Sequence, residues 1–303
     1  DIEDSGARIQ LIVRDDALQA QYEKGLLGFD DVSLLTRGDI IEAAGVVTNS
    51  DSGELSIEVK GLRVLTKVLR PLPGKLEDKE TRLRRRYLDM AINTDVRERF
   101  VRRSKFWQAT RDFLNQEGFV EINTPVLEQT TGGADANPFV TYMDALDQDF
   151  FLRISHELPL KRLIGAGFEK VFDIGPRFRN ENYSDEHLPE HVAFESYGAY
   201  QDYNDGIELY ERMMKHVAQE TWGTLQFKIG EFEVDLSKPW PRISYADILR
   251  TEFGVDVFSP DLNQLKQILT ENKVEFDDSI NENRALDAVW KVIRRRSAGP
   301  TGW

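Results

Sequence analysis

Apolar and polar residues alternate along Val171-Phe-Asp-Ile-Gly-Pro-Arg-Phe-Arg-Asn-Glu181. Successive side chains of a strand point to opposite faces, so this spacing predicts a strand over 171–179. One face takes Phe172, Ile174, Pro176 and Phe178; the other takes Asp173, Gly175, Arg177, Arg179 and Glu181. Any antiparallel strand with one wet face shows such alternation, so on its own it marks a surface rather than a site. His191–Tyr200 predicts a second strand, in which Glu195 and Tyr197 share a face with Ala193 and Ala199. A carboxylate and a phenol above small residues suit a cation, and a cross-strand ion pair explains them equally. Phe119–Ile122 and Phe150–Ile154 read as further strands. Helical spacing of Val96, Phe100, Trp107, Thr110 and Leu114 predicts a helix over 95–117, with Thr94 or Asp95 at its start and Gly118 just past its end. Residues 157–166 and 206–221 have the same period. Strands and helices mix without strict alternation, which favours an antiparallel α+β fold over a doubly wound sheet.

The first seventy residues differ. Arg8–Val13, Ile40–Val47 and Leu55–Val59 are rich in β-branched residues and separated by turns, predicting a small β-barrel or part of one. Pro71-Leu-Pro-Gly74 breaks regular structure and predicts a boundary, giving a barrel over 1–74, a linker over 75–93 and a second domain over 94–303. A length of 303 residues agrees with about two domains.

Composition narrows the chemistry. The chain has no Cys, which removes disulfides, thiolate metal sites and cysteine nucleophiles together. No apolar run approaches a membrane span and no export signal is visible, so a soluble protein of the reducing cytoplasm is expected. The net charge of −14 argues against a general nucleic-acid coat. Residues 75–105 nevertheless hold 11 Lys and Arg against 6 Asp and Glu, concentrated around Arg82, Arg84, Arg85 and Arg86. A solvated helix face and a polyanion contact both fit that segment. His187-Leu-Pro-Glu-His191 matches the H-x-x-E-H zinc-protease pattern, but Pro189 would cost about 3 kcal/mol inside the helix that motif needs. Thr131-Gly-Gly-Ala134 reads as a loop, and neither a P-loop nor a Gly-x-Gly-x-x-Gly fingerprint is present.

Taken together, the motifs resemble those of the class II lysyl-tRNA synthetases. Asp78-Lys-Glu-Thr-Arg82 with Arg86-Tyr-Leu-Asp89 is similar to the family's link between anticodon-binding barrel and catalytic domain. Gly118-Phe-Val-Glu-Ile-Asn-Thr-Pro125 resembles motif 1, and Phe178-Arg-Asn-Glu181 resembles motif 2. The lysine-type signatures appear as Gly132-Gly-Ala134, Leu152-Arg-Ile-Ser-His-Glu-Leu158 and Glu195-Ser-Tyr-Gly-Ala-Tyr200. Departures occur as well: His191 stands where the family has the phenylalanine that stacks on adenine, Leu188 replaces an asparagine, and His156 replaces a common proline. Nothing resembling motif 3 follows, and the barrel begins after its first strand, so the chain is expected to be truncated and nearly inactive alone.

The resemblance implies an oligonucleotide-binding (OB) barrel, partial here, followed by a catalytic domain with an antiparallel sheet flanked by helices. It implies ATP-dependent activation of L-lysine and transfer to tRNA(Lys), with Mg2+ accompanying ATP on ligands beyond this chain, and a homodimer formed through motif 1. Arg179 matches the arginine that holds both substrate carboxylate and α-phosphate. Glu181 and His187 match ATP contacts, as does the position of His191. Gly133 and Glu157 match groups that receive the α-ammonium, and Glu195 with Tyr197 the pair that takes the ε-ammonium. Arg84, Arg85 and Arg86 are the candidate tRNA phosphate contacts. Two alternatives stay open: a paralogue charging another acceptor or another amino acid, such as aspartate or asparagine, and a non-catalytic tRNA-binding or regulatory module.

Overall fold

The computed structural model describes residues 1–4, 6–181, 187–230 and 232–297, with side chains as far as Arg294. Contacts divide the chain into two units, residues 1–101 and 102–303.

In the first unit, β1 (Ile2–Asp4) and β2 (Ala7–Ile12) form a hairpin. β3 (Ile40–Asn49) and β4 (Leu55–Thr66) form a longer one around the Ser50–Glu54 turn. β2 pairs in parallel with β4, giving the order β1-β2-β4-β3. One face buries Leu18, Val59 and Leu62 with Leu11, Val13, Leu27, Val32 and Ile41 packed around them. This corrects the expected OB-type barrel. Among the described residues β1 pairs only with β2 and β3 only with β4, so the sheet keeps two open edges where a barrel joins them. The β-rich composition does form strands, but closure depends on edge pairing between distant segments, and the three-residue β1 presents too short an edge for it.

The segment expected as a linker is largely helical. Asp78 caps α1 (Lys79–Arg84), its carboxylate accepting from the Thr81 N–H at 2.8 Å. In α2 (Arg86–Ile92) the wholly buried Asp89 accepts from Arg82 Nε at 2.8 Å, Arg86 Nη1 at 2.9 Å and Asn93 Nδ2 at 2.7 Å. Then α3 (Thr94–Gln116) follows the predicted period and stops just before Gly118, whose φ of +83° suits a position past a helix end. Val96, Thr110 and Leu114 are buried as expected, whereas Phe100 is 44% exposed.

The second unit holds β5 (Val120–Glu121), β6 (Leu127–Glu128), β7 (Val140–Met143), β8 (Gln148–Leu152), α4 (Glu157–Gly165), β9 (Lys170–Phe178), β10 (Glu190–Gly198) and α5 (Tyr203–Trp222). A hairpin of β11 (Gln226–Ile229) and β12 (Phe232–Asp235) precedes α6 (Tyr245–Phe253), α7 (Leu262–Glu271) and α8 (Glu282–Ser297). β9 and β10 are antiparallel from Lys170↔Gly198 to Phe178↔Glu190, and β5 adds in parallel on the other side of β9, so this sheet is mixed rather than purely antiparallel. β6, β8 and β7 make a second, antiparallel sheet. The dry face of β9 behaves as its alternation predicts: Phe172 and Ile174 pack with Ala109, Phe113 and Leu114 of α3 and with Met213 and Val217 of α5. α5 is anchored by a capping box between Asp202 and Asp205. Leu249, Val255, Leu265, Leu269, Ala285 and Val289 form a separate core for the last three helices.

Candidate active site

With the dry face of β9 fixed against helices, its polar face must look the other way. The register sets Gly175 opposite Ala193, Arg177 opposite His191, Asp173 opposite Glu195 and Val171 opposite Tyr197. Directly paired residues project to the same side, so the polar sets of both strands form one surface. Arg177 organises its middle. Its Nε donates to His191 Nε2 at 2.8 Å, and its Nη1 donates to Glu195 Oε1 at 3.3 Å. Because His191 accepts at Nε2, it carries its proton on Nδ1, which faces the Leu188 carbonyl at 3.3 Å. Burial, then the charges of Arg177 and Arg179, hold the His191 pKa below its ordinary value, which keeps the ring neutral. Burial and neighbouring Arg179 also lower the pKa of Arg177, with Glu195 opposing them.

Glu195 is gripped from below. The His156 backbone N–H donates to its Oε1 at 3.2 Å, and His156 Nδ1 lies 3.7 Å from the same oxygen. Burial alone would raise the Glu195 pKa, but His156 and then Arg177 bring it below the usual value. The His156 side chain is wholly buried, and neither ring nitrogen has a hydrogen-bond partner among the described residues. Its Nε2 lies 3.9 Å from Asp173 Oδ2. Asp173 itself is taken up elsewhere, accepting from Arg153 Nη1 at 3.0 Å and Thr124 Oγ1 at 2.5 Å. Arg153 also donates to the Pro176 and Thr124 carbonyls. Gly175 leaves room for this buried guanidinium, since a Cβ there would collide with Arg153 Nη2.

Glu157 opens α4 beside this surface. Its N–H donates to Ser155 Oγ at 2.9 Å and its carboxylate pairs with Lys161 at 2.6 Å. Tyr197 lies near it: burial, then the charges of Glu157 and Glu195, push the phenol up to about 12, so it stays a donor. Gly133, at φ +83°, brings its loop against this corner; a Cβ would strike Ser155 Oγ and come within 2.6 Å of Glu157 Cβ. Beyond the end of β9, the Arg179 N–H donates to the Pro189 carbonyl at 2.8 Å, while its Nε is buried without a partner among the described residues. Glu181 accepts the Asn137 N–H at 3.4 Å.

The fold thus links Glu195 and His191 through Arg177, sets Tyr197 near Glu157 and Glu195, and sets Gly133 against Glu157. Arg179 falls next on the same alternating face. His187 and Glu181 border residues 182–186, which lie outside the described residues. Arg84, Arg85 and Arg86 belong to the other unit and differ among themselves. Arg84 pairs with Glu80 at 2.8 Å and Arg86 with Asp89, whereas exposed Arg85 has no side-chain partner among the described residues. The zinc-protease reading fails on geometry, because β10 begins at Glu190 and no helix carries both His187 and His191. Among the described residues no group of three or more Asp, Glu or His could hold a metal.

Sequence reasoning marks His156 only as a departure from the family pattern, misses the Arg153–Asp173–Thr124 cluster, and gives Arg177 a face but no task. Counting two residues at a time from Glu195 and Asp173 would have placed Arg177 opposite His191. Glu128 was missed too: burial raises its pKa, and its Oε2 has no partner among the described residues.

Residues 78–282 match the tRNA synthetases class II (D, K and N) family, and the chain belongs to it. Its relatives include a lysine–tRNA ligase of Staphylococcus saprophyticus, 40% identical over 96% of this chain and 58% of that protein. Another, from Thermotoga maritima, is 39% identical over 94% of this chain and 58% of its own length. That of Halalkalibacterium halodurans is 43% identical over 85% and 51%. The chain therefore matches between half and three fifths of the length of these relatives.

Proposed function

We propose that the chain carries the amino-acid-activating face of a lysine–tRNA ligase. Lysine carboxylate attacks the α-phosphorus of ATP, the bond to the β-phosphate breaks, and pyrophosphate leaves. The terminal ribose hydroxyl of tRNA(Lys) then attacks the lysyl carbonyl carbon, the carboxyl–phosphate anhydride bond breaks, and AMP leaves. The attacking and leaving groups belong to the substrates, so the protein contributes placement and charge stabilisation.

The observation that carries this reading is the division of one sheet face into an anion end and a cation end. At the anion end Arg179 has a buried, unpartnered Nε among the described residues, and a planar guanidinium can bridge a carboxylate and a phosphate. At the cation end Glu195, Tyr197 and Glu157 offer acceptors, with Gly133 set against Glu157. In this reading Glu157 and Gly133 receive the α-ammonium and Glu195 with Tyr197 the ε-ammonium. Glu181 and His187 contact ATP, and the neutral His191 ring lies under adenine.

Mg2+ would enter with ATP as its counter-ion, and no step is assigned to it on this chain. The same reading includes tRNA contact at Arg84–Arg86, a catalytic domain over 94–303, a homodimer through α3 and β5, and a cytoplasmic location. No helix among the described residues is long and apolar enough to cross a membrane. The test is ATP–pyrophosphate exchange by the full-length protein with lysine, aspartate or asparagine in turn. Exchange with lysine alone supports the reading; exchange only with another amino acid, or none, refutes it.

A further inference from the structure

Glu195, the proposed acceptor of the ε-ammonium, already has a cation of the protein's own. Arg177 Nη1 lies 3.3 Å from its Oε1, the same oxygen that accepts the His156 N–H at 3.2 Å. No hydrogen bond reaches Oε2 among the described residues. The guanidinium is also held on its other edge, through the 2.8 Å bond from Nε to His191, and its side chain is only 24% exposed. It is a built part of the pocket rather than a solvated side chain resting there.

Two consequences follow for whatever side chain enters. An ammonium group bound to Glu195 must share the carboxylate with a guanidinium a few ångströms away, and like charges that close repel strongly when half-buried. A neutral side chain, by contrast, leaves no stranded charge, because Arg177 keeps the carboxylate paired. The usual source of discrimination, an unpaired buried polar group left by the wrong ligand, is thereby weakened. Resting on the lysine reading of this pocket, we infer that Arg177 is a specificity-determining residue that competes with the ligand's ε-ammonium for Glu195, loosening lysine binding and tolerating uncharged side chains of the same length.

Calorimetric titration of the full-length protein with lysine and with norleucine, its isostere lacking the ε-amine, tests this in wild type, R177Q, R177K and E195Q. R177Q is expected to bind lysine about tenfold more tightly and norleucine no more tightly, so that their affinity ratio widens about tenfold or more. R177K keeps a cation and should stay near the wild-type ratio. If R177Q does not fold, as judged by circular dichroism, R177M keeps the apolar stem and carries the same expectation. Weaker lysine binding in R177Q, or an unchanged ratio, overturns the role of Arg177 while leaving the pocket intact. A wild-type protein that binds no lysine, or an E195Q variant that binds it as tightly as wild type, overturns the pocket and the competition together.

Discussion

Asp173 and Glu195 stand directly opposite each other in the β9–β10 register, and the ring of His156 lies 3.9 Å from one carboxylate and 3.7 Å from the other. Sequence alternation gives them equal standing on one polar face, yet their surroundings differ. Asp173 is sealed by Arg153 and Thr124, with 2% of its side chain exposed, while Glu195 keeps 20%. The inner carboxylate serves the framework, and the outer one is the more accessible of the two, as its proposed role as ligand acceptor requires.

Removing the partner of the inner carboxylate should therefore cost stability. Arg153→Met leaves Asp173 buried without its cation, a change worth about 3–5 kcal/mol, whereas Arg153→Met with Asp173→Leu should recover most of it. Urea unfolding of the three proteins measures both. A single variant within about 0.5 kcal/mol of wild type would show that the pair contributes little to the fold.

For the outer carboxylate the expected loss is in binding. Glu195→Gln keeps the shape and removes the charge, and a charge-assisted hydrogen bond is worth about 1.5–3 kcal/mol. Lysine activation by the full-length protein should fall roughly 10- to 150-fold with the KM for ATP little changed. Tyr197→Phe should do less, since it deletes one neutral hydrogen-bond partner and leaves the carboxylate. Equal damage to lysine and ATP constants would contradict the assignment of Glu195 to the amino acid.

His191 should titrate below the ordinary value of 6.5. A base whose folded pKa is depressed contributes stability that is fully present above the unfolded pKa and is lost as pH falls through the folded one. Acidification below 6.5 should thus destabilise wild type more than His191→Gln. Long-range proton–nitrogen correlation spectra should report the Nδ1–H tautomer, because Nε2 accepts from Arg177. An Nε2–H tautomer would remove the link between Arg177 and this ring.

How much of this was legible follows from the range of each signal. The two-residue period of 171–181 divides Phe172 and Ile174 from Asp173 and Arg177, as the structure has them, because it is written in consecutive residues. His156 was not legible as a neighbour of Glu195, since 39 residues separate them and no local pattern records their contact. The open sheet of the first unit has the same cause: propensity marks β3 and β4 but does not say whether distant edges meet. Asp89 shows the reverse error. Its segment read as a basic linker, yet two of those arginines neutralise a buried carboxylate, so counting charge overstated what faces solvent. No expectation was formed for α6–α8, whose apolar residues have helical spacing and bury a core of their own.

Gly133 allows a controlled comparison with Gly53, since both have φ of +83°. Alanine at either position carries the left-handed penalty of roughly 1–2 kcal/mol. Only at Gly133 does the new Cβ meet neighbours, approaching Glu157 Cβ to 2.6 Å; at Gly53 nothing lies within 4 Å. Gly133→Ala should raise the KM for lysine in pyrophosphate exchange by displacing Glu157, while Gly53→Ala should change stability only. Similar lysine constants in the two variants would separate this loop from amino-acid binding.

The basic segment offers the last test, because its arginines are not equivalent. Arg85 has no side-chain partner among the described residues, whereas Arg86 donates to buried Asp89 at 2.9 Å. If Arg85 meets tRNA phosphate, Arg85→Ala should lower the slope of log affinity against log salt by about 0.7–0.9 without altering thermal stability. Arg86→Ala should instead lower the melting temperature, since Asp89 keeps its burial and loses one of two cations. Filter binding over a salt series, run beside thermal unfolding, reads both effects. An Arg85→Ala protein with the wild-type slope would make that guanidinium a solvated surface charge. An Arg86→Ala protein of unchanged stability and reduced slope would reverse the two roles, moving the phosphate contact onto the side chain that the fold holds against Asp89.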